Sequence, residues 1–449
     1  MEFLAELKKR VSRNAVDHSP EALSAYSYDA SKRTGVPAVV VNALSLEDII
    51  ATVNVARRYN IPIIPRGAGT GLSGGAVPLK PGIVLSLERM DNILHIDPNQ
   101  KTAVVEPGVI NGSLQSRLLR YNLFFPCDPN SAAFATVGGN ASENACGLKG
   151  RLYGSCFSHV KGLVYVNNEA KVISTGSFNG GRNMLLQRLL VGGEGTLGII
   201  AKIAVDLLEI PDKVNTYFLF FKLGNQAFEF TRYLMARGIF PYSLEFIDGN
   251  TYSLIADPAS SFFRSKIGSA VLLETGVHDD FLGDVLPLFP NMEYIKARDE
   301  DERKRFWDFR NLVSPSLYNL APDRVNEDVA VPLDRMDELA DFLRDLGGET
   351  PLVQVHSFGH LSAGCFHSNF LYDSRNPAAV EECEQAVRRT IEKSVELGGT
   401  ISCEHGIGLT KKAFLRLELG DVAYAFHRNI KSVFDPQGIF NPGKVFEDD

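Results

Sequence analysis

"PRGAGTGLSGGAVPLKPG", residues 65–82, decides how the first half of this 449-residue chain is read. An apolar strand pattern, "IPIIP" (61–65), runs straight into glycines at 67, 69, 71, 74 and 75. Gly69, Gly71 and Gly74 satisfy the G-x-G-x-x-G spacing, but a dinucleotide-binding βαβ unit also needs a helix whose N-terminus meets the pyrophosphate. Pro78 and Pro81 follow at once, and proline in a helix interior costs about 3 kcal/mol. The stretch therefore predicts a loop and no Rossmann helix. Its glycines let successive backbone N–H groups turn inward and close on an anion. Two further loops have the same character, "TVGGNASENACGLKGRLYG" (136–154) and "VGGEGTLGI" (191–199). Three of them predict one extended ligand wrapped by backbone.

Around these loops the pattern is mixed α/β. "SLEDIIATVNVARRYN" (45–60) predicts a helix, with Ser45 and Asp48 as a capping pair and Leu46, Ile49, Ile50, Val53 and Ala56 on one face. Strands are expected at 61–67, 82–87, 162–166, 171–174 and 197–208, a strand and turn at 101–108, and a helix opened by Asn111 at 111–122. Pro211 and Asp212 mark a boundary. Beyond it, strands interrupted by helices predict an α+β cap, and 351–370 reads as two strands joined by a Ser-Ala-Gly-Cys turn.

Composition narrows the class. The length predicts two or three domains. A net charge of −8 without a basic stripe argues against nucleic acid. No stretch approaches the roughly 20 apolar residues of a membrane span. "MEFLAELKKRVSRNAV" reads as a short amphipathic helix and not as a signal peptide. The cysteines at 127, 146, 156, 365, 383 and 403 show no C-x-x-C spacing, and they predict reduced thiols in a cytosolic protein.

Four of nine histidines, His356, His360, His367 and His405, fall within residues 356–405. Singly, each reads as a hydrogen-bonded core histidine; as a set they read as a site. His360 and His367 flank a turn, so antiparallel pairing brings the imidazoles together across a hairpin. Glu404 adds a carboxylate, and two histidines with one carboxylate leave open positions on a divalent ion.

The three glycine loops, in this order and spacing, resemble the FAD-binding domain of the vanillyl-alcohol oxidase superfamily. From about Tyr28 to the C-terminus, through "GTISCEHGIG" and "NPGK", the chain resembles its glycolate oxidase/D-lactate dehydrogenase branch. The resemblance implies an α+β protein. Residues 1–212 would form an FAD-binding domain of two α/β subdomains, and 213–398 an α+β cap with an antiparallel sheet carrying a metal hairpin. Residues 399–449 would return to the flavin site. FAD would be non-covalent, since no histidine lies in the 65–82 loop. Its pyrophosphate would lie on Arg66, Gly67, Ala68, Gly69, Thr70, Gly71, Leu72 and Ser73. Its flavin would be lined by Thr136, Gly139, Asn140, Ser142, Gly198, Ile200 and Asn441.

By the same resemblance His360, His367 and Glu404 are ligands of a divalent metal (Zn, Mn or Fe). His405 is the catalytic base, Asn369 holds substrate, and Arg310, in "FWDFRNLV", grips the substrate carboxylate. The chain departs from the family at Ser362, Ala363 and Cys365 in the hairpin turn, and at Cys403 and Cys146. Cys365 and Cys403 read as small fillers beside the ligands, with an extra soft ligand or an oxidisable pair as the sharper alternative. Where relatives that read a distal carboxylate carry a lysine, this chain has Asn326, with Arg324 as a substitute cation.

The implied reaction is oxidation of a D-2-hydroxy acid, D-lactate or glycolate favoured, to the 2-oxo acid by hydride transfer to FAD. The alternatives are a D-2-hydroxyglutarate dehydrogenase, an alkyl-glycerone-phosphate-synthase-like transferase, and a non-catalytic flavoprotein subunit. Partners would be the small 2-hydroxy acid and an electron acceptor: electron-transfer flavoprotein, an iron–sulfur subunit, a quinone, or oxygen. No iron–sulfur cysteine run lies in the chain. The expected location is cytoplasmic, with a partner as the route to any peripheral membrane contact.

Overall fold

The computed structural model describes residues 2–257, 264–276 and 281–447. It divides into two compact units, Met1–Ile210 with Glu404–Asp449, and Pro211–Cys403. Among the described residues, no helix is long and apolar enough to cross a membrane.

The first unit holds two sheets. In one, Val39–Asn42, Ile83–Ser86 and Ile63–Arg66 pair in parallel, with Val16–Asp17 antiparallel at the edge. Their unbroken apolar runs have a physical reason: both faces are covered. Val39, Val41, Ile63, Ile83 and Leu85 enter one core, whereas Val40, Ile64 and Val84 enter another. The helix Leu46–Tyr59 covers the first face with Ile49, Val53 and Ala56. Ser45 caps it by accepting the Asp48 N–H at 3.3 Å, and Asn60 ends it in the left-handed region. The second sheet is antiparallel, in the order Ile93–Asp97, Thr102–Val105, Ile199–Asp206, Val160–Val166, Val172–Ser174. Residues 67–82 contain no helix, and the chain passes directly from Ile63–Arg66 to Ile83–Ser86.

Four expectations are corrected here. The 136–154 segment is not all loop, because Thr136 opens a helix, Val137–Ser142, by accepting the Gly139 N–H at 3.1 Å. The strand expected over 197–208 ends at Asp206, and Leu208–Glu209 pairs separately with Leu123–Phe124. The helix expected over 111–122 does open at Asn111, but its α-helical part ends at Leu118 and Leu119–Tyr121 continues as a 3-10 turn; Asn111 is fully buried and donates to Cys127 O at 2.8 Å and Asn140 Oδ1 at 2.9 Å. Cys127 and Cys156 are not reduced thiols but form a disulfide. Folding brings their Cα atoms to 5.3 Å, inside the span a disulfide needs, although 29 residues separate them in sequence.

The second unit is built on a seven-stranded antiparallel sheet. Its order is Glu293–Lys296, Asn215–Phe221, Ser269–Thr275, Ser243–Asp248, Gln354–His360, Cys365–Tyr372, Asp323–Ala330. One face packs Phe218, Phe220, Ile247, Leu272 and Phe358 against Tyr252, Phe306, Phe309 and Leu317 from three overlying helices. On the other face, Phe370 meets Leu346 and Cys383 from the helices Met336–Glu349 and Pro377–Glu396. Strand periodicity then places the chemistry. Glu245, His360 and Cys365 align across three strands; Phe358, His367 and Asp328 form the next row, and His356, Asn369 and Asn326 the row after that.

Candidate functional site

In the first unit the predicted loops converge. A Cβ placed on Gly67 would lie 2.2 Å from Thr136 Oγ1, and one on Gly69 would lie 2.3 Å from Arg66 Nη2. The loop at 66–73 is thus folded tightly against the start of the Val137–Ser142 helix, with Arg66 Nη1 donating to Tyr28 O at 2.6 Å. Asn441 donates through Nδ2 to Gly75 O (2.9 Å) and Glu194 O (2.8 Å), tying the C-terminal "NPGK" to two of the glycine loops. Gly71 is the open point: a Cβ there meets nothing within 4 Å. Arg66 Nε and Ser73 Oγ are buried without a hydrogen-bond partner. A glycine loop with an open centre and unspent buried polar atoms fits an extended polar ligand such as the FAD pyrophosphate.

"EHGIG" folds onto the same loops. Glu194 accepts the N–H groups of Ile407 (2.8 Å) and Gly408 (2.7 Å), while Leu409 N–H donates to Ser73 O at 2.7 Å. Gly406 and Gly408 have φ of +86° and +46°, which is why this turn carries glycines. A side chain at 406 would strike Glu143 Oε2 and Glu194 Oε1. Burial, then the neighbouring Glu194 and Asp29, push the Glu143 carboxyl well above its usual range. Burial also raises Glu194, against the pull of the two N–H groups, and lowers the Lys444 ammonium to about 8.

The second unit carries the histidine hairpin. His360 and His367 are 5% and 3% exposed, and their Nε2 atoms approach to 3.2 Å. Two nitrogens bound to one tetrahedral divalent ion at the usual bond length stand about 3.3 Å apart, so the spacing fits a shared metal. Glu245 Oε1 takes His360 Nδ1 at 2.7 Å, an arrangement that orients a ligand ring. Glu245 Oε2 accepts Arg310 Nη2 (2.7 Å) and Nε (3.1 Å). Burial alone would raise the Glu245 carboxyl, but the charges of His360 and Arg310 hold it below its usual range. Asp328 accepts the backbone N–H of Cys403 at 2.9 Å. Glu404 and His405 follow directly, where the chain re-enters the first unit. Cys365 and Cys403 are not joined by a disulfide.

The candidate residues thus fall into two groups. The flavin set lies in the first unit, and the hairpin with Arg310 and Asn369 in the second. Arg310 is spent in part on Glu245, which sequence reasoning did not single out. The available signal was an acid inside the otherwise apolar strand "SLEFI", since buried acids need partners. Asn140 is turned toward Asn111. His356, grouped with the others in sequence, is held through Nδ1 by Thr251 Oγ1 at 3.2 Å, and burial lowers its pKa.

Residues 37–176 match the family model "FAD binding domain", and residues 210–445 match "FAD linked oxidases, C-terminal domain". The chain is 32% identical to the glycolate oxidase subunit GlcD of Bacillus subtilis (strain 168), over 96% of this chain and 94% of that one. It is 30% identical to a D-lactate dehydrogenase of Anaerostipes hadrus, over 91% and 89%. Among solved structures, 4-ethylphenol oxidase from Gulosibacter chungangensis superposes with a TM-score of 0.81 at 17% identity, over 99% and 96%; that likeness concerns the fold. With both halves matched and relatives aligned end to end, the chain belongs to the FAD-linked oxidase family.

Proposed function

We propose that the chain is a flavin-dependent dehydrogenase that oxidises a D-2-hydroxy acid to the 2-oxo acid. The observation that carries the reading is the His360–His367 pair, buried and braced by Glu245, in a chain whose other unit has the glycine loops of an FAD site. Bound FAD supplies the two-electron acceptor for the hydride on the substrate's α-carbon. The chain's residues do the rest. Arg66–Ser73 hold the pyrophosphate, while Thr136, Gly139, Asn140, Ser142, Gly198, Ile200 and Asn441 line the flavin.

His360, His367 and Glu404 are proposed to hold a divalent cation, which would acidify the substrate hydroxyl. Asp328 anchors Cys403, the residue before Glu404, and so steadies that carboxylate's backbone. Arg310 uses two of its nitrogens on Glu245; a guanidinium has five N–H donors, and the remaining ones hold the substrate α-carboxylate. Asn369 orients the substrate, and His405 takes the hydroxyl proton. The electron acceptor is a partner protein or a quinone, met in the cytoplasm or at the membrane surface.

His405→Ala tests the base. The variant is expected to bind FAD normally, yet to lose at least about 100-fold in the rate of anaerobic flavin reduction by substrate. An unchanged rate would remove His405 from this role. Metal analysis of the purified protein, with and without chelator, tests the His360–His367–Glu404 set separately.

A further inference from the structure

Glu194 and Glu143 meet under the turn that follows His405. Glu194 is buried, and its carboxylate divides between two backbone donors, Oε1 accepting the Ile407 N–H at 2.8 Å and Oε2 the Gly408 N–H at 2.7 Å. Its own backbone is held from both sides. Its N–H donates to Ser142 O at 2.9 Å, and its carbonyl accepts Asn441 Nδ2 at 2.8 Å. Glu143 follows Ser142, and its carboxyl reaches from the first glycine loop to the turn. A Cβ on Gly75 would lie 2.9 Å from Glu143 Oε1. One on Gly406 would lie 2.7 Å from Glu143 Oε2 and 3.1 Å from Glu194 Oε1. Two carboxyl groups thus face one point of backbone. Glu194 has two N–H donors there, whereas Glu143 Oε2 is shielded from solvent with no hydrogen-bond partner among the described residues.

Two carboxyl groups brought to one water-poor point do not both stay ionised. The paired N–H groups keep the charge on Glu194, and the proton goes to Glu143. The surrounding groups agree. Burial, then Glu194 and Asp29, oppose charge on Glu143, against Lys444; on Glu194, burial works against the two N–H groups, Lys444 and Lys411. Gly406 and Gly408 give the turn a freedom that its own side chains do not restrain. The Glu194 carboxylate restrains it instead, two and three residues after His405. We infer that Glu194, kept ionised by a neutral Glu143, is the positioning residue that aims His405, and that the turn holds its working geometry only while the two acids share a single proton. The inference rests on the 2-hydroxy-acid reading through His405 alone; the clamp itself lies wholly within the first unit.

Two readouts test it on the FAD-loaded wild type, Glu194→Gln, Glu194→Asp and Glu143→Gln. The first needs no turnover: hydrogen exchange of the peptide containing Ile407 and Gly408, followed by mass spectrometry at one pH. Glu194→Gln turns an amide toward one of the two N–H groups, so exchange should be at least about tenfold faster than in the wild type, the scale of a lost charged hydrogen bond. The second is the limiting rate of anaerobic flavin reduction by D-lactate and by D-2-hydroxyglutarate, from about pH 6 to about pH 10. Glu194→Gln should lower that rate at least about tenfold with FAD retained, and Glu194→Asp should recover part of it. The wild type should lose rate as pH rises through the Glu143 value, and Glu143→Gln, neutral throughout, should lack that decline. Unchanged exchange and rate in Glu194→Gln would overturn the clamp. A wild type without the alkaline decline, or a decline that persists in Glu143→Gln and so belongs to Lys444 or another group, would overturn the shared proton. Should Glu194→Gln fail to take up FAD, the pH profile of Glu143→Gln decides. Faster exchange in Glu194→Gln, with no flavin reduction by either acid in the wild type, would keep the clamp and remove the dehydrogenase reading.

Discussion

Glu245 is fully buried and holds two partners, Arg310 and His360. Removing one member of a buried ion pair leaves a stranded charge and costs about 3–5 kcal/mol. Glu245→Ala should therefore lower the unfolding free energy by that amount in denaturant titration, and adding Arg310→Met should recover part of it. A loss under about 1 kcal/mol, the worth of an exposed pair, would show that Arg310 is not stranded. At this scale the sequence was informative about kinds of residue and less so about their partners. His360 and His367 could be paired from a turn and strand alternation alone. The dependence of Arg310 on Glu245 could not, because 65 positions separate them and only the packing of the helix Glu300–Asn311 on the sheet brings them together.

The elements were legible where local rules dominate. The capped helix at 46–59 and the hairpin at 354–372 follow from capping and alternation, and Pro78 with Pro81 rightly excluded a Rossmann helix. The helix at 137–142 was missed because its two glycines and single turn of capping read as loop. The Cys127–Cys156 link was missed because spacing does not reveal which cysteines folding brings together. Closing a loop of this length contributes about 3–4 kcal/mol, so Cys127→Ser with Cys156→Ser should lower the unfolding free energy by that much. An unchanged value would mean the link is dispensable.

Glu143 adds a pH dependence. Its folded pKa is raised above 4.5 by burial, Glu194 and Asp29. Its contribution is thus full below the unfolded value and is lost as pH rises through the folded one. Glu143→Gln, neutral throughout, should flatten the decline in stability of the FAD-free protein above pH about 4.5; an unaltered slope would assign that decline to other groups.

For the whole molecule, the division of labour follows chain order with one return. The first unit gathers its glycine loops together and recovers the last 46 residues, from Glu404. The second uses an antiparallel sheet to set imidazole and amide groups in rows, with the Arg310 guanidinium supplied from the helix Glu300–Asn311. The return through Glu404 and His405 was foreshadowed by "CEHGIG", whose glycines make sense once Glu194 is seen to receive two of its N–H groups. The most direct measurement is anaerobic mixing of the yellow, FAD-loaded protein with paired D- and L-2-hydroxy acids while flavin absorbance is followed. Bleaching by at least one D acid and not by its L enantiomer is the predicted result. A flavin that no 2-hydroxy acid of either hand reduces, or a protein that takes up no FAD, would contradict the account.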